Sequence, residues 1–145
     1  MVNKELIKLA MEAREYAYAP YSNWKVGAAL LCKNGKVYKG CNIENSAFTS
    51  TSCAERTAFF KAISEGDTEF EKIAIVGGDA NRGLEGYCTP CGVCRQVMTE
   101  FCNPDEFKII CAKSLDEYEE YSLRDLIPNI NYIRGNEGYG FKNSN

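Results

Sequence analysis

The 145 residues of the chain suffice for one domain with one hydrophobic core. The formal net charge is −3, and acidic and basic residues are interspersed, so the sequence offers no basic face for phosphates and disfavours a nucleic-acid partner. The longest apolar run, residues 26–32, is far too short to span a bilayer, and the first residues show no secretion signal. We therefore expect a cytoplasmic protein with no membrane partner.

The first part of the chain predicts one helix and one β-hairpin. Small and aliphatic residues recur at helical spacing over residues 3–17, so this segment should form an amphipathic helix. Residues 26–32 and 36–41 are typical of strands, and the Asn34-Gly35 dipeptide between them favours a tight hairpin turn.

The remainder of the chain alternates helices and strands after a polar loop. The predicted elements are a helix over 53–65, a strand over 73–77, a glycine-rich loop over 78–90, a helix over 91–101, a strand over 107–112 and a short helix over 122–126. A hairpin followed by such alternation favours one mixed sheet covered by helices. We assign residues 1–128 to this domain and residues 129–145 to an irregular C-terminal tail.

The chain has eight cysteines and no histidine. A disulfide framework is disfavoured, because a secretory signal is lacking and the chain is long enough to build an ordinary core. Metal binding explains some of the cysteines better, and any zinc site must then use thiolates, carboxylates or water. Four cysteines in strand or helix contexts are interpreted as small buried hydrophobic residues: Cys32, Cys41, Cys102 and Cys111.

Chemically reactive residues stand at the start of two predicted helices. Cys53 and Glu55 lie in the first turn of one helix, and Cys91 and Cys94 lie in the first turn of the other. Thiols at a helix N-terminus ionise readily, because unpaired backbone N–H groups and the helix dipole favour the anion. If the two helix ends meet above the sheet, three thiolates can hold one zinc and leave its fourth position open, as in catalytic zinc sites.

Cys88 extends this motif to Cys88-x-x-Cys91-x-x-Cys94 and keeps two other interpretations open. One is a closed structural zinc site with Cys88 as the fourth ligand, and the other is an iron–sulfur cluster, since the spacing is part of a ferredoxin pattern. The ferredoxin pattern requires a further cysteine where Met98 stands. The structural zinc site leaves Glu55 no role beyond a favourable interaction with the helix dipole.

Several motifs, in the same order along the chain, resemble the small homotetrameric cytidine deaminases. They are YAPYS at 18–22, VGAAL at 26–30, GCNIEN at 40–45, CAERTA at 53–58 and PCGVCRQV at 90–97. They cover most of the chain up to about residue 128. The resemblance implies a three-layer α/β/α sandwich around one mixed, about five-stranded sheet, and a homotetramer that acts in pyrimidine salvage.

The resemblance also implies a reaction, the hydrolytic deamination of free cytidine and deoxycytidine to uridine and deoxyuridine with release of ammonia. Cys53, Cys91 and Cys94 then hold a single zinc ion per chain, which makes a water molecule acidic so that its hydroxide can attack C4 of the base. Glu55 takes the proton of the water, protonates N3 of the base and later delivers a proton to the leaving ammonia.

Five more residues receive roles from the same resemblance. Asn42 and Glu44 match residues that bind the ribose hydroxyls, and Trp24 stands where the family usually has a phenylalanine lining the base pocket. The backbone of Ala54 matches a group that binds the edge of the base, and Arg56 matches an arginine that hydrogen-bonds the zinc thiolates. From the residues alone, Asn42 and Glu44 are equally compatible with a plain polar loop. Trp24 is also compatible with a place in the core, and Arg56 with a place on a helix surface.

Three features depart from the family pattern. Phe48 replaces a tyrosine that is common near the subunit interface, and the tail lacks the usual ending with a phenylalanine that enters a neighbouring site, a role left open to Phe141 or Tyr139. Residues 79–87 form a longer, glycine-rich loop in which Asn81-Arg82-Gly83 is similar to the blasticidin-type deaminases. A different cytosine-containing small molecule therefore stays open as the substrate.

Overall fold

The computed structural model describes residues 1–130. The helices and strands are α1 (Asn3–Arg14), β1 (Trp24–Cys32), β2 (Val37–Cys41), α2 (Ala54–Ser64), β3 (Phe70–Asp79), α3 (Gly92–Phe101), β4 (Lys108–Ala112), β5 (Tyr118–Ser122) and α4 (Leu123–Leu126). Among these described residues, every helix is too short or too polar to cross a membrane. Both tail residues considered for a neighbouring site, Tyr139 and Phe141, lie outside the described residues.

One mixed sheet forms the middle of the molecule, as the sequence predicts. Its strands lie in the order β2-β1-β3-β4-β5. β3 and β4 run parallel, whereas the other neighbouring pairs run antiparallel. The predicted hairpin is confirmed by the register of β1 and β2, in which Leu31 lies opposite Val37.

The strand β5 is absent from the chain-order prediction, which contained only four strands. Its sequence, Tyr-Glu-Glu-Tyr-Ser, is exposed over its first three residues and has no apolar alternation. It pairs with β4 at the edge of the sheet, with Ile110 opposite Glu120. Edge strands need bury little side-chain area, so hydrophobic patterning does not detect this one.

Helices cover both faces of the sheet and create two cores. Strand residues alternate between the faces, so that Ala29 and Leu31 pack against α1 while Ala28 and Leu30 pack under α2, α3 and α4. Phe59 of α2 is fully buried in the second core. The fold is therefore the expected three-layer α/β/α sandwich.

Two glycines let the helices approach the strands closely. A Cβ at Gly40 of β2 would lie 2.4 Å from the backbone oxygen of Ala54, and one at Gly27 of β1 would lie 2.1 Å from that of Ala10. Only hydrogen fits at such distances, so glycine allows the backbone of each helix to rest on its strand. The contact at Gly40 sets the position of the first turn of α2.

Two elements have a predicted boundary that shifts by three residues. α1 ends at Arg14 rather than at residue 17, and Arg14 then donates to the carbonyl oxygens of Gly78 and Asp79 at 3.0 and 2.9 Å. β3 begins at Phe70, three residues earlier than the apolar run indicates, because Phe70 and Lys72 still pair with the neighbouring strands across a register shift, while Glu71 between them is exposed.

Candidate functional site

Three of the eight cysteines meet where α2 and α3 begin. Cys53 is the N-cap residue of α2, Cys91 is the N-cap residue of α3, and Cys94 lies in the first turn of α3. Their sulfur atoms all lie within 4.8 Å of one another, and those of Cys53 and Cys91 are 3.7 Å apart. The two helix N-termini therefore converge, as the sequence predicts.

The spacing of these sulfurs fits a zinc ion. With Zn–S bonds of about 2.3 Å and tetrahedral angles, two ligand sulfurs should lie about 3.8 Å apart, and the observed 3.7 Å is close to this value. The same distance is far too long for a disulfide bond, and all three thiols are free. Three sulfurs at such spacing could hold a metal ion and leave one coordination position for another ligand.

Cys88 does not belong to this cluster of sulfurs. It lies beyond Pro90 and lines the neighbouring pocket instead. The closed four-cysteine site that the spacing left open is therefore not what the described residues form.

The charge state of the cluster is set by its internal hydrogen bonds. The hydrogen bond from Cys94, together with those from Arg56 and Cys91, lowers the pKa of Cys53 to about 5. The pKa of Cys94 is raised, because it shares its proton with Cys53 and is also buried. A cation at this position would replace the shared proton and stabilise every thiol as the thiolate.

Arg56 lies beside the sulfurs, in the first turn of α2. Its Nη2 donates to Cys53 Sγ at 3.2 Å. Burial alone would lower the pKa of Arg56, but its hydrogen bonds to Cys53 and Cys94 raise it above the ordinary value. Its Nε is buried without a hydrogen-bond partner among the described residues, so the bonds to the thiols offset part of the cost of burying this guanidinium.

Glu55 is the acidic residue of the site. Only 4% of its surface is exposed, and burial raises the pKa of its carboxyl to about 7. It lines the same pocket as Cys53 and Cys91. A carboxyl with a pKa near neutrality can both accept and donate a proton, which is the requirement for general acid–base chemistry.

A pocket of about 310 Å³ opens beside the cluster. This volume is at the lower end of the range for small-molecule sites. All four residues predicted to bind substrate line it, along with two from the loop before α3: Trp24, Asn42, Glu44, Ala54, Cys88 and Thr89. The structure therefore brings the predicted substrate residues, the carboxyl and the sulfurs to one place.

Asn42 is held by strand β1. Its Oδ1 accepts from the backbone N–H of Val26 at 2.9 Å, and its Nδ2 donates to the carbonyl oxygen of Trp24 at 2.8 Å. These bonds leave one amide hydrogen of Asn42 for a further partner. The residue thus orients β1 at the pocket in addition to lining it.

Glu44 is held by the turn before β1. Its carboxylate accepts from the backbone N–H groups of Tyr21 and Ser22 at 2.9 and 3.0 Å and from the Ser22 hydroxyl. Burial tends to raise the pKa of Glu44, but these bonds lower it overall, so the side chain is a fixed carboxylate at neutral pH.

Ser22 is a site residue that the sequence predicts only as part of a motif and not as a functional residue in its own right. Besides its bond to Glu44, its Oγ accepts from the backbone N–H of Trp24 at 3.0 Å. Its place in the motif at residues 18–22 was the available signal. Its role depends on Glu44, which is distant in sequence, so no local pattern reveals it.

Among the four cysteines predicted to be buried, three are in the core: Cys32, Cys102 and Cys111. Cys41 is only half-buried, so the prediction is wrong for this residue. Cys41 is the last residue of β2, an edge strand of the sheet that has a neighbouring strand on one side only.

Comparisons with known proteins agree with this geometry. The family model described as the cytidine and deoxycytidylate deaminase zinc-binding region matches residues 1–111. A cytidine deaminase of Sporosarcina psychrophila is 47% identical over 125 residues, which is 86% of this chain and 88% of that protein. A probable cytidine deaminase of Dictyostelium discoideum is 39% identical over 127 residues, covering 88% of this chain and 82% of that protein.

A solved structure has the same fold. The crystal structure of cytidine deaminase from Burkholderia pseudomallei superposes with a TM-score of 0.80 at 44% sequence identity, covering 89% of this chain and 98% of that one. The sequence match spans most of the domain, and the matched region includes all three cysteines of the cluster. The chain therefore belongs to the zinc-binding cytidine and deoxycytidylate deaminase family.

Proposed function

We propose that this protein catalyses the hydrolytic deamination of cytidine and deoxycytidine to uridine and deoxyuridine, with release of ammonia. The observation that supports it best is the placement of a buried carboxyl, Glu55, in one pocket with a cluster of three thiols spaced for zinc. Family membership supports the same reaction, since the similar proteins of Sporosarcina psychrophila and Burkholderia pseudomallei are named cytidine deaminases.

In this proposal Cys53, Cys91 and Cys94 hold the metal. Zinc, when bound there, supplies a Lewis acid that makes a water molecule acidic enough to attack C4 of the base. The thiols contribute negative charge, and Arg56 and the N-termini of α2 and α3 contribute compensating positive charge.

Glu55 moves the protons in the proposed reaction. Its carboxylate takes one proton from the attacking water and passes it to N3 of the base, so that the ring loses aromaticity without building up negative charge. It then carries the second proton to the exocyclic nitrogen, which leaves C4 as ammonia rather than as the far more basic amide anion. The raised pKa of Glu55 suits both transfers, because a carboxyl whose pKa is near neutrality can both accept and donate a proton.

The pocket residues bind the nucleoside in this proposal. The Glu44 carboxylate accepts a hydrogen bond from a ribose hydroxyl, and the remaining amide hydrogen of Asn42 donates to the sugar. Trp24 stacks on the pyrimidine, and the backbone of Ala54 binds the edge of the base. Ser22 keeps Glu44 in position through its backbone and hydroxyl bonds.

The test is a deamination assay combined with a metal assay on the wild type and on Glu55→Gln. The glutamine keeps the size of the side chain but cannot carry a proton, so we expect kcat/KM to fall by about 10²–10⁴-fold. Zinc content should stay at about one ion per chain in both proteins, because the thiols are untouched. Glu65→Gln, at the exposed end of the same helix, is the matched control and should keep full activity.

Equal activity of wild type and Glu55→Gln would contradict the proposed role of the carboxyl. Bound iron in place of zinc would contradict the metal assignment. Assays with cytidine, deoxycytidine and blasticidin-type cytosine compounds identify the substrate. Turnover of only the blasticidin-type compounds would contradict the proposal that the substrate is a free nucleoside.

We also propose a homotetramer in the cytoplasm that acts on free nucleosides in pyrimidine salvage. Two aromatic residues at the edge of the pocket, Tyr21 and Phe48, are 61% and 90% exposed in the single chain. A patch of this kind is usually covered by another subunit. Eight free cysteines suit a reducing compartment, which supports the cytoplasm. Residues 1–128 form the domain in this proposal, and most of the predicted tail, from residue 131 onward, lies outside the described residues.

A further inference from the structure

Cys88 is a pocket residue that the proposed reaction does not use. Its side chain lines the same pocket as Trp24, but its sulfur is not part of the three-thiol cluster. Burial raises the pKa of this thiol to about 11, so it stays neutral at physiological pH, and the Trp24 indole donates a hydrogen bond to it. An indole has a single N–H and usually finds a partner for it when it is partly buried.

Gly77 of β3 makes room for this contact. A Cβ at this position would lie 3.0 Å from Cys88 Sγ and 3.2 Å from Trp24 Nε1, closer than nearly all such contacts. The sulfur and the indole nitrogen therefore both pack over the same backbone atom of β3. Gly77 lies opposite Val26 of β1, so the strand that bears Trp24 is its direct neighbour.

We propose that Cys88 and Gly77 are positioning residues that hold the Trp24 indole against the pocket wall in the orientation that binds the pyrimidine ring. The inference rests on the proposed function, because it concerns the same pocket. Of these three residues, Trp24 contacts the base, and Cys88 and Gly77 act through the indole. Replacing Cys88 leaves Glu55 and the metal-binding thiols unchanged, so the effect falls on substrate binding rather than on the chemical step.

Tryptophan fluorescence of the zinc-loaded protein without substrate tests this directly, since Trp24 is the single tryptophan of the chain. Cys88→Ala removes the hydrogen-bond acceptor, Cys88→Ser keeps one, and Cys32→Ala deletes a buried thiol at the opposite end of β1 as the matched control. We expect a red-shifted emission that acrylamide quenches more readily in Cys88→Ala. Cys88→Ser and Cys32→Ala should both resemble the wild type.

Steady-state kinetics provide the second readout. Cys88→Ala should raise KM for cytidine by about three- to ten-fold, the size expected for one lost hydrogen bond. kcat should stay within about two-fold of the wild type. Gly77→Ala, whose added methyl group displaces both the sulfur and the indole, should change emission and KM in the same direction while circular dichroism confirms a folded protein.

Identical emission and quenching in Cys88→Ala and the wild type would overturn the inference. It would also be overturned if Cys88→Ser behaved like Cys88→Ala, because the acceptor would then be irrelevant. A wild-type protein that does not deaminate cytidine refutes the proposed function instead. The fluorescence of the substrate-free variants still decides the role of Cys88 in that case.

Discussion

At the scale of single residues, the thiol cluster faces an electrostatic problem. Three thiolates donate much negative charge to a metal ion and so weaken it as a Lewis acid. Arg56 is placed to offset this, because its guanidinium hydrogen-bonds Cys53 at 3.2 Å and also interacts with Cys94. In other metal sites, replacing a residue that hydrogen-bonds a metal ligand lowers metal affinity or activity by about 10–100-fold.

Arg56→Ala should therefore keep the fold but lower zinc affinity or kcat by about 10–100-fold. The measurement is zinc retention against a chelator of known affinity, combined with kcat on the fully loaded protein. Arg56→Lys is the matched variant, because lysine keeps the charge but cannot reach both sulfurs in a fork, and we expect an intermediate loss. Full zinc affinity together with unchanged kinetics in Arg56→Ala would show that this arginine has no influence on the metal.

At the scale of elements, the helices are held on the sheet by close backbone contacts and by a few polar links. Gly27 and Gly40 allow α1 and α2 to rest on β1 and β2. Asp67, just after α2, links that helix to the hairpin, because it accepts from Tyr38 Oη at 2.5 Å and from Asn34 Nδ2 at 2.9 Å. Gly40 contacts the first turn of α2, which includes Glu55, whereas Asp67 links the opposite end of the helix.

Gly27→Ala should destabilise the fold by about 3 kcal/mol, because the new methyl group would collide with the backbone of α1 and force the helix outward. Chemical denaturation measures the change in the free energy of unfolding. Gly92→Ala is the matched control, since nothing lies within 4 Å of a Cβ there and the residue is at a helix start. If Gly27→Ala lowered the free energy of unfolding as little as Gly92→Ala does, the result would contradict the close packing of α1 on β1.

The link at Asp67 predicts a pH-dependent contribution to stability. The hydrogen bond from Tyr38 lowers the pKa of Asp67 below its ordinary value of 3.8. A carboxyl whose pKa is lower in the folded state stabilises the fold above its ordinary pKa, and this stabilisation is lost as the pH falls through the folded-state value. The gap in melting temperature between the wild type and Asp67→Asn should therefore be largest near neutral pH and shrink in acid.

The control for the Asp67 prediction is Tyr38→Phe, which removes the donor and leaves the carboxyl in place. We expect the pH dependence of the melting temperature to weaken in this variant as well. A gap between wild type and Asp67→Asn that stays constant across the acid range would contradict the ionic character of the link.

At the scale of the whole molecule, the proposed tetramer can be tested at one exposed aromatic residue. Phe48 lies beside Tyr21 and Glu44 at the edge of the substrate pocket and is 90% exposed. Phe48→Arg should break an assembly that buries this ring, because an arginine at the centre of an apolar contact is left without a counter-charge.

Size-exclusion chromatography with light scattering measures the outcome. The wild type should have four times the mass of one chain, about 65 kDa from the 16.2 kDa monomer, and Phe48→Arg should form smaller species. Leu115→Arg, at an exposed aliphatic residue between β4 and β5, is the control and should remain a tetramer. A monomeric wild type would refute the assembly itself.

The chain's own sequence determined the elements of the site, because these depend on local chemistry. The Asn-Gly hairpin and the alternation of helices and strands after it predicted the mixed sheet. The cysteines at the starts of two helices predicted the thiol cluster. The edge strand β5 escaped detection, since its charged residues pair through the backbone and bury little apolar surface.

Only the tertiary structure decided which of several equivalent residues share a site. Cys88 has the same three-residue spacing to Cys91 that Cys91 has to Cys94, yet only the fold turns its sulfur away from the cluster and toward Trp24 and Gly77. The bonds of Glu44 to Tyr21 and Ser22 likewise cross more than twenty positions. Such contacts depend on how strands and loops pack, and the spacing of residues along the chain does not determine which of them come into contact.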